Sequence, residues 1–411
     1  MDAGSLDQPA ERPRGARSGR RAEAATSPLT SEHIRRANAW SVLQAVRAAG
    51  VSSRTEITAA TGLTGMSVHR LIGELRRHRL VVSAGRTAVG TVGRPSSLFR
   101  FNASIAHVVG IDVGNETTRA ELTDLDRTVR ARREVPTAAV EDDLAAHLLG
   151  LIAELRATEG VAHDELVAVA VGVPAVAGPD GTILRASQHH QWEGLDLGGR
   201  LSAALGTEVV VRQDDHLAAL AELQGGACSG ARSAVVLDVG KGIGVGVITG
   251  GQVHGGIHNA AGRVAWIPIP VDAGGESSTI PIGQLLTADG LIADYRRLGG
   301  TAPADGALSV FEADSGGEPA AAGAIDLFAT RLGWLVAAVV AVMDPEVVVI
   351  GGGISRSYTR LAEGVTGRLA AIIAAPPPVV ASTLGPQAVV NGAIDAALGL
   401  ADAWLREQLG S

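Results

Sequence analysis

The sequence predicts a two-lobed α/β body behind a small winged helix-turn-helix head. Three observations carry this expectation. First, SSRTEITAATGLTGMSVHRLIGELRRHRLVV (52–82) reads as cap, helix, turn, cap, helix. Second, VVGIDVGNETTRAELTDLDRTV (108–129) is restated as AVVLDVGKGIGVGVITGGQVH (234–254), which sets Asp112 and Asp238 at matching places 126 residues apart. Third, glycines at 240, 242, 244 and 246 follow soon after the apolar strand VVVRQ (209–213), which ends on a carboxylate, Asp214. Such glycines let the backbone turn sharply and approach a bound group closely. A duplicated strand meander with crossover helices implies two like lobes and a cleft between them.

In chain order, residues 1–28 are rich in Ala, Gly, Arg, Pro and Glu without apolar periodicity. They are expected to be a disordered Arg-rich tail. The head occupies 29–102. Its first helix is expected to bury Ile34, Ala37, Val42, Leu43 and Val46, with Val51 just beyond. Ser53 and Glu56 form a capping box, Gly62 ends the second helix, and Thr64 caps the third, whose buried stripe is Val68, Leu71, Ile72 and Leu75. In a helix-turn-helix the last of these helices enters the major groove by its N-terminal end. That places Thr64, Gly65, Ser67, His69 and Arg70 near DNA, with Arg54 beside them. Strands at Leu80–Ser83 and Ser97–Asn102 would form a wing, with Arg94 at its tip reaching a minor groove. A plain helical hairpin would bury the same apolar residues.

Charge separates head from body. Residues 1–100 carry a net +9 and the remainder −17, within an overall −8. A basic head on an acidic body fits a nucleic-acid-binding module; a solvated basic tail would account for Arg12–Arg21 alone. The 411 residues call for two or three domains. Cys228 is the one cysteine, which excludes an intrachain disulfide and a cysteine-based zinc site. The longest apolar run, Leu332–Met343, is too short for a bilayer and the N-terminus shows no signal-peptide segment, so a cytoplasmic protein is expected.

The body spans 103–411, with lobes at about 103–232 and 233–411. A helix near 141–159, a strand at 166–173, a helix near 320–343, the strand VVVIGGG (347–353) and a helix from about Ser355 complete it. Taken together, the head, DVG (112–114), GVP (172–174), GKGIGVG (240–246), GGIHNAAG (255–262) and IGGG (350–353) resemble the ROK family of repressors, open reading frames and sugar kinases. The resemblance implies the actin-like ATPase fold. It also implies a homodimer or dimer of dimers on an inverted-repeat operator of double-stranded DNA.

By the same resemblance, Asp112 and Gly114 form a first phosphate turn, and Asp238, Gly240, Lys241 and Gly242 a second, with Gly352 near the nucleotide. These loops are degenerate. Glu116 brings a carboxylate to where phosphate oxygens would lie, and like charges ~4 Å apart cost about 1 kcal/mol in water and roughly 4 near a protein surface. Lys241, the chain's only lysine, stands where the family has Thr; it could pair with Glu116 across the lobes or hold another anion. ATP is therefore not an expected cofactor. Asp214 aligns with the family's general base, but it could equally accept ligand hydrogen bonds or cap the following helix. The segment Gly262-Arg263-Val264-Ala265-Trp266 replaces the family's sugar-binding Glu and zinc-binding His, and 271–286 contains no cysteine, so no metal is expected.

The remodelled pocket would be lined by Gln188, Gln213, Asp214, Arg263 and Trp266. Arg263 would suit a sugar acid or sugar phosphate through bidentate bonds. Alternatively the pocket is closed, with Arg263 bonded to Asp214 or Asp215. The expected function is a transcriptional regulator, a repressor, with a non-catalytic kinase body sensing a sugar-like effector. An active sugar kinase fused to a DNA-binding head, and a ligand-independent regulator, are the alternatives.

Overall fold

The computed structural model describes residues 31–86, 96–139, 143–186, 188–273 and 276–409. The tail 1–28 and Arg94 lie outside the described residues.

The head begins with α1 (Ser31–Ala49), β1 (Val51–Ser53), α2 (Arg54–Thr61) and α3 (Gly65–Arg77), followed by β2 (Val81–Arg86) and β3 (Ser97–Phe101). Its sheet runs β1-β3-β2, the winged arrangement expected. The capping box holds: the Glu56 N–H donates to Ser53 Oγ at 3.4 Å, and the Ser53 N–H donates to the Glu56 carboxylate at 2.7 Å. Gly62 ends α2 at φ 68°, and Thr64 accepts from the Ser67 N–H. Replacing Ser53 with alanine should lower head stability by about 1 kcal/mol, read as an earlier head transition in denaturant.

One expectation for α1 needs correction. Its buried stripe is Ala39, Val42, Leu43 and Val46, whereas Ile34, Ala37 and Val51 are exposed. The first two turns of α1 carry no buried residue, so helical spacing alone misassigned them. Within these turns Arg35 ion-pairs with the buried Glu74 and ties α1 to α3.

The first lobe contains β4 (His107–Val113), β5 (Thr117–Asp124), β6 (Val129–Pro136), α4 (Leu144–Glu159), β7 (Leu166–Val173), β8 (Ala175–Ala177), β9 (Ile183–Ala186), α5 (Leu197–Leu205) and β10 (Glu208–Gln213). Next comes α6 (Asp214–Gly225). The second lobe contains β11 (Ser233–Val239), β12 (Ile243–Thr249), β13 (Gln252–Val253), β14 (Pro268–Ala273), β15 (Glu276–Pro281), α7 (Ile282–Leu285), α8 (Ala288–Arg297), α9 (Ala307–Ser315), α10 (Pro319–Met343), β16 (Val347–Gly351), α11 (Tyr358–Ile372) and β17 (Val379–Ala381). The chain closes with α12 (Ala388–Gln408).

The duplication is visible in the sheets. One runs β10-β7-β4-β5-β6 and the other β17-β16-β11-β12-β13. In each, three parallel strands adjoin an antiparallel pair. Asp112 and Asp238 therefore sit at equivalent strand ends, in register with Gly172 and Gly351 of the next parallel strand.

Two further expectations change. The lobes are not contiguous in sequence: α12 leaves the second lobe and packs on α6, β4 and β7 of the first. That contact is close, because a Cβ on Gly110 would lie 2.7 Å from the backbone nitrogen of Ile394. The helix expected near 320–343 is present as the 25-residue α10, but because the apolar run Leu332–Met343 is only its end, the run's length no longer argues against a membrane span. By length and composition α10 and the segment Gly385–Gln408 could each cross a membrane. Both bury one face in a lobe core, through residues such as Ile325, Leu332 and Val336 on α10 and Val390, Ile394 and Leu405 on α12.

Candidate ligand cleft and DNA-facing helix

Sequence dictates the cleft through four strand and helix ends. The apolar strand β4 is buried through its length and β11 through most of it, and Asp112 and Asp238 are their penultimate residues. Strand β10 runs into α6, so Asp214 and Asp215 lie in that helix's first turn. Carboxylates are favoured there by the positive end of the helix dipole. The N-cap itself is Gln213, whose side chain makes no capping bond, so the expectation that Asp214 caps the helix is not met. The two phosphate-type turns, Gly352–Gly353 and the start of α12 complete a cleft of about 270 Å³. That volume is small for a ligand site.

Asp112, Gly114, Asp214, Asp238, Gly240, Lys241, Gly242, Arg263 and Gly352 all line this cleft. Gly352 is required as glycine: at φ 70° a Cβ would lie 2.4 Å from the Val239 carbonyl oxygen. The first turn is pinned from behind, where the Thr137 hydroxyl donates to the Gly114 carbonyl at 2.6 Å.

The charges across the mouth are paired as residue chemistry suggested. Lys241 Nζ lies 3.0 Å from Glu116 of the first lobe and 3.0 Å from Asp289 of α8. These carboxylates are exposed, so the latch is weak and salt-sensitive, about 0–1 kcal/mol for each pair. A polyphosphate would have to displace it and then meet Glu116 and the carboxylates behind.

Arg263 is engaged within the protein. Its Nε and a terminal nitrogen both donate to the Gln213 amide oxygen, at 2.9 and 2.5 Å, and Asp214 lies 3.9 Å away. Gln213 is itself buried, and its amide nitrogen donates to the Asn259 carbonyl at 2.6 Å. The structure thus draws Gln213, Asp214 and Arg263 together, but as an internal clamp. Trp266 stands beside it with the guanidiniums of Arg185 and Arg263 at 4.6 and 5.9 Å from its ring centre. Gln188 is exposed and donates to the Lys241 carbonyl at 3.5 Å. Of the five expected pocket residues, Gln188, Gln213 and Trp266 do not line the cleft.

Sequence reasoning missed Arg119 and named Asp215 only as a possible partner of Arg263. Asp215 is fully buried and neither carboxylate oxygen has a hydrogen-bond partner. Arg119, on β5, lies 3.5 Å from Asp112. An acidic pair at a strand-to-helix junction was the available signal for Asp215; for Arg119 there was none. Among the described residues no group of three His, Cys, Asp or Glu could hold a metal.

Burial drives the titration of the cluster. It lifts Asp112 to about 8, with repulsion from Asp214 and Asp238 adding to it and Arg119 opposing. Burial likewise lifts Asp215 to about 8, with Arg263 opposing and Asp214 adding, and Asp238 to about 7. Asp214 is raised as well, chiefly by burial. An unfolded Asp titrates near 4, so between about pH 4 and 8 the folded protein holds protons that the unfolded chain has lost. The cluster's contribution to stability therefore falls as pH rises through that window. The thermal midpoint of the Asp215→Asn variant should fall less between pH 6 and 8.5 than that of the wild type; parallel profiles would contradict this.

The second candidate surface is α3. Val68, Leu71, Ile72 and Leu75 are buried, as expected, leaving Thr64, His69 and Arg70 exposed and Ser67 half-buried. Arg54 is exposed with its guanidinium 5.6 Å from the Phe99 ring centre. Met66, 84% exposed, and Arg76 and Arg77 share the open side and were not anticipated. An isolated Met in a polar helix start was the missed signal.

Comparison with known proteins places these features. The ROK family pattern matches residues 108–400. A glucokinase of Halalkalibacterium halodurans is 25% identical over 276 residues, covering 62% of this chain and 82% of that protein. The DNA-binding transcriptional dual regulator NagC of Escherichia coli K12 is 24% identical over 237 residues, covering 57% of this chain and 58% of that one. A crystal structure of a ROK family transcriptional regulator, described as a homologue of the E. coli MLC protein, superposes with a TM-score of 0.74 at 23% identity, covering 92% of this chain and 99% of that one.

Proposed function

Because the chain belongs to the ROK family, we propose that it is a DNA-binding transcriptional regulator, a repressor, whose kinase-like body senses a sugar-like ligand without transferring phosphate. One observation carries this reading: a single helix joins the cleft to the head. At its start, Ala388 and Val389 of α12 line the cleft. Near its end, Asp402 accepts from Arg47 of α1 at 2.8 Å, and Arg406 lies 4.4 Å from the Trp40 ring centre. Arg47 also donates to the Leu125 carbonyl and lies 5.2 Å from the Phe101 ring centre. Apolar residues of α1, α3, β4 and α12 form one continuous core.

In this reading ligand binding changes the closure of the lobes and α12 passes the change to α1. That requires a ligand with different affinity for the two closures. Two heads on a homodimer, or on a dimer of dimers, would meet an inverted repeat of double-stranded DNA, with α3 in the major groove. The protein would work in the cytoplasm, at the nucleoid when bound. An active sugar kinase is the second reading, favoured by Asp214, which lines the cleft with its carboxyl titrating high. Operator affinity measured with and without a sugar panel, beside ATP turnover on the same panel, separates the two. Ligand-dependent affinity without turnover is expected; sugar-dependent turnover lost in Asp214→Ala would overturn the regulator-only body.

A further inference from the structure

We propose that the ligand of the cleft carries an ammonium group: an amino sugar with a free amine, rather than a neutral, acidic or phosphorylated sugar. The inference rests on the sensor reading above and names its ligand class. Four carboxylates, Asp112, Asp214, Asp215 and Asp238, face the cleft from both lobes. The permanent cations available to them are Arg119 and Arg263, since Lys241 is held at the mouth by Glu116 and Asp289; the buried His216, 3.9 Å from Asp215, is turned to the Ala261 carbonyl and burial lowers its pKa, which favours the neutral ring. Arg263 is further committed to the Gln213 carbonyl.

Asp215 supplies the independent observation. It is 1% exposed, both of its oxygens lack a hydrogen-bond partner, and it lines the cleft. A buried carboxylate with no donor carries a desolvation penalty. An ammonium brings three donors and a positive charge, which answers both deficits at once. A phosphate or sugar acid would add negative charge to a cluster already short of cations. The raised titration of the cluster, set first by burial and then by repulsion among the carboxylates, is what an entering cation would relieve.

Isothermal titration of the full-length protein tests this with glucosamine, galactosamine and mannosamine, their N-acetyl forms, the parent hexoses, glucose 6-phosphate and glucuronate. At least one free amine should bind at least tenfold tighter than its N-acetyl form, its parent hexose and both anions. Its binding should release protons near pH 7, seen as a dependence of the heat on buffer ionisation. Asp215→Asn should reduce the amine preference to less than threefold. Preference for an anion or N-acetyl sugar, binding without proton release, binding of Mg²⁺ alone in place of the amine, or no binding by any free amine would overturn the proposal. Operator binding in the absence of ligand is scored separately. Its loss would count against the regulator reading and leave the amine result standing.

Discussion

Replacing Gly392 with alanine is expected to destabilise the body by about 4 kcal/mol or more, the range of severe steric and cavity mutations. A Cβ at this position would lie 1.8 Å from the Leu217 carbonyl oxygen and 2.5 Å from its carbon. Both are backbone atoms of α6, which is fixed on its other side by β12, where Gly246 lies so close that a Cβ would meet Ala219 Cβ at 2.3 Å. Neither helix has a flexible side chain to yield, so α12 must lift off α6. The thermal midpoint should fall by about 10 °C. Gly399 provides the control within the same helix: nothing lies within 4 Å of its Cβ position, so Gly399→Ala should be neutral or stabilising by up to about 1 kcal/mol through helix propensity. If some Gly392→Ala protein folds, its operator affinity should no longer respond to ligand. A variant with wild-type stability would show that α12 does not seat on α6 in this way.

The second large effect is expected on DNA. Removing His69 and Arg70 together should weaken binding to a specific site by at least about 30-fold, since each base-reading side chain contributes roughly 1–3 kcal/mol. Both residues are exposed on α3, so the thermal midpoint should hold within about 1 °C. Discrimination between specific and random DNA should collapse, whereas loss of a phosphate contact would weaken both alike and flatten the salt dependence. Equal affinity of variant and wild type for a specific site would remove α3 from the interface.

Much of the fold was legible because its signals are local or repeated. The Ser53–Glu56 box and the Gly62 turn depend on neighbours within a few residues, and the Asp112/Asp238 repeat is self-similarity that needs no structure to detect. The Lys241–Glu116 pair was readable for a related reason: two turns expected to face each other had each gained a charge of opposite sign. What escaped was partner choice over long separations. Nothing in the spacing of α12 says that Gly392 meets Leu217, or that the helix returns to the first lobe. Arg263 was read either as an anion site or as closed on Asp214 or Asp215; that its main partner would be Gln213, on a strand end 50 residues away, was not legible. The buried stripe of α1 began later than its periodicity implied, because an apolar residue is buried only where another element covers it.

The central claim is that this chain reads DNA and that its kinase-like cleft governs the reading. The most direct measurement is selection of genomic fragments by the full-length protein at physiological salt, with turnover of Mg-ATP and the sugar panel followed on the same preparation. The account predicts enrichment of a few discrete sites with inverted-repeat symmetry, and no sugar-dependent turnover. Absence of any enriched site, together with sugar phosphorylation that disappears in Asp214→Ala, would contradict it.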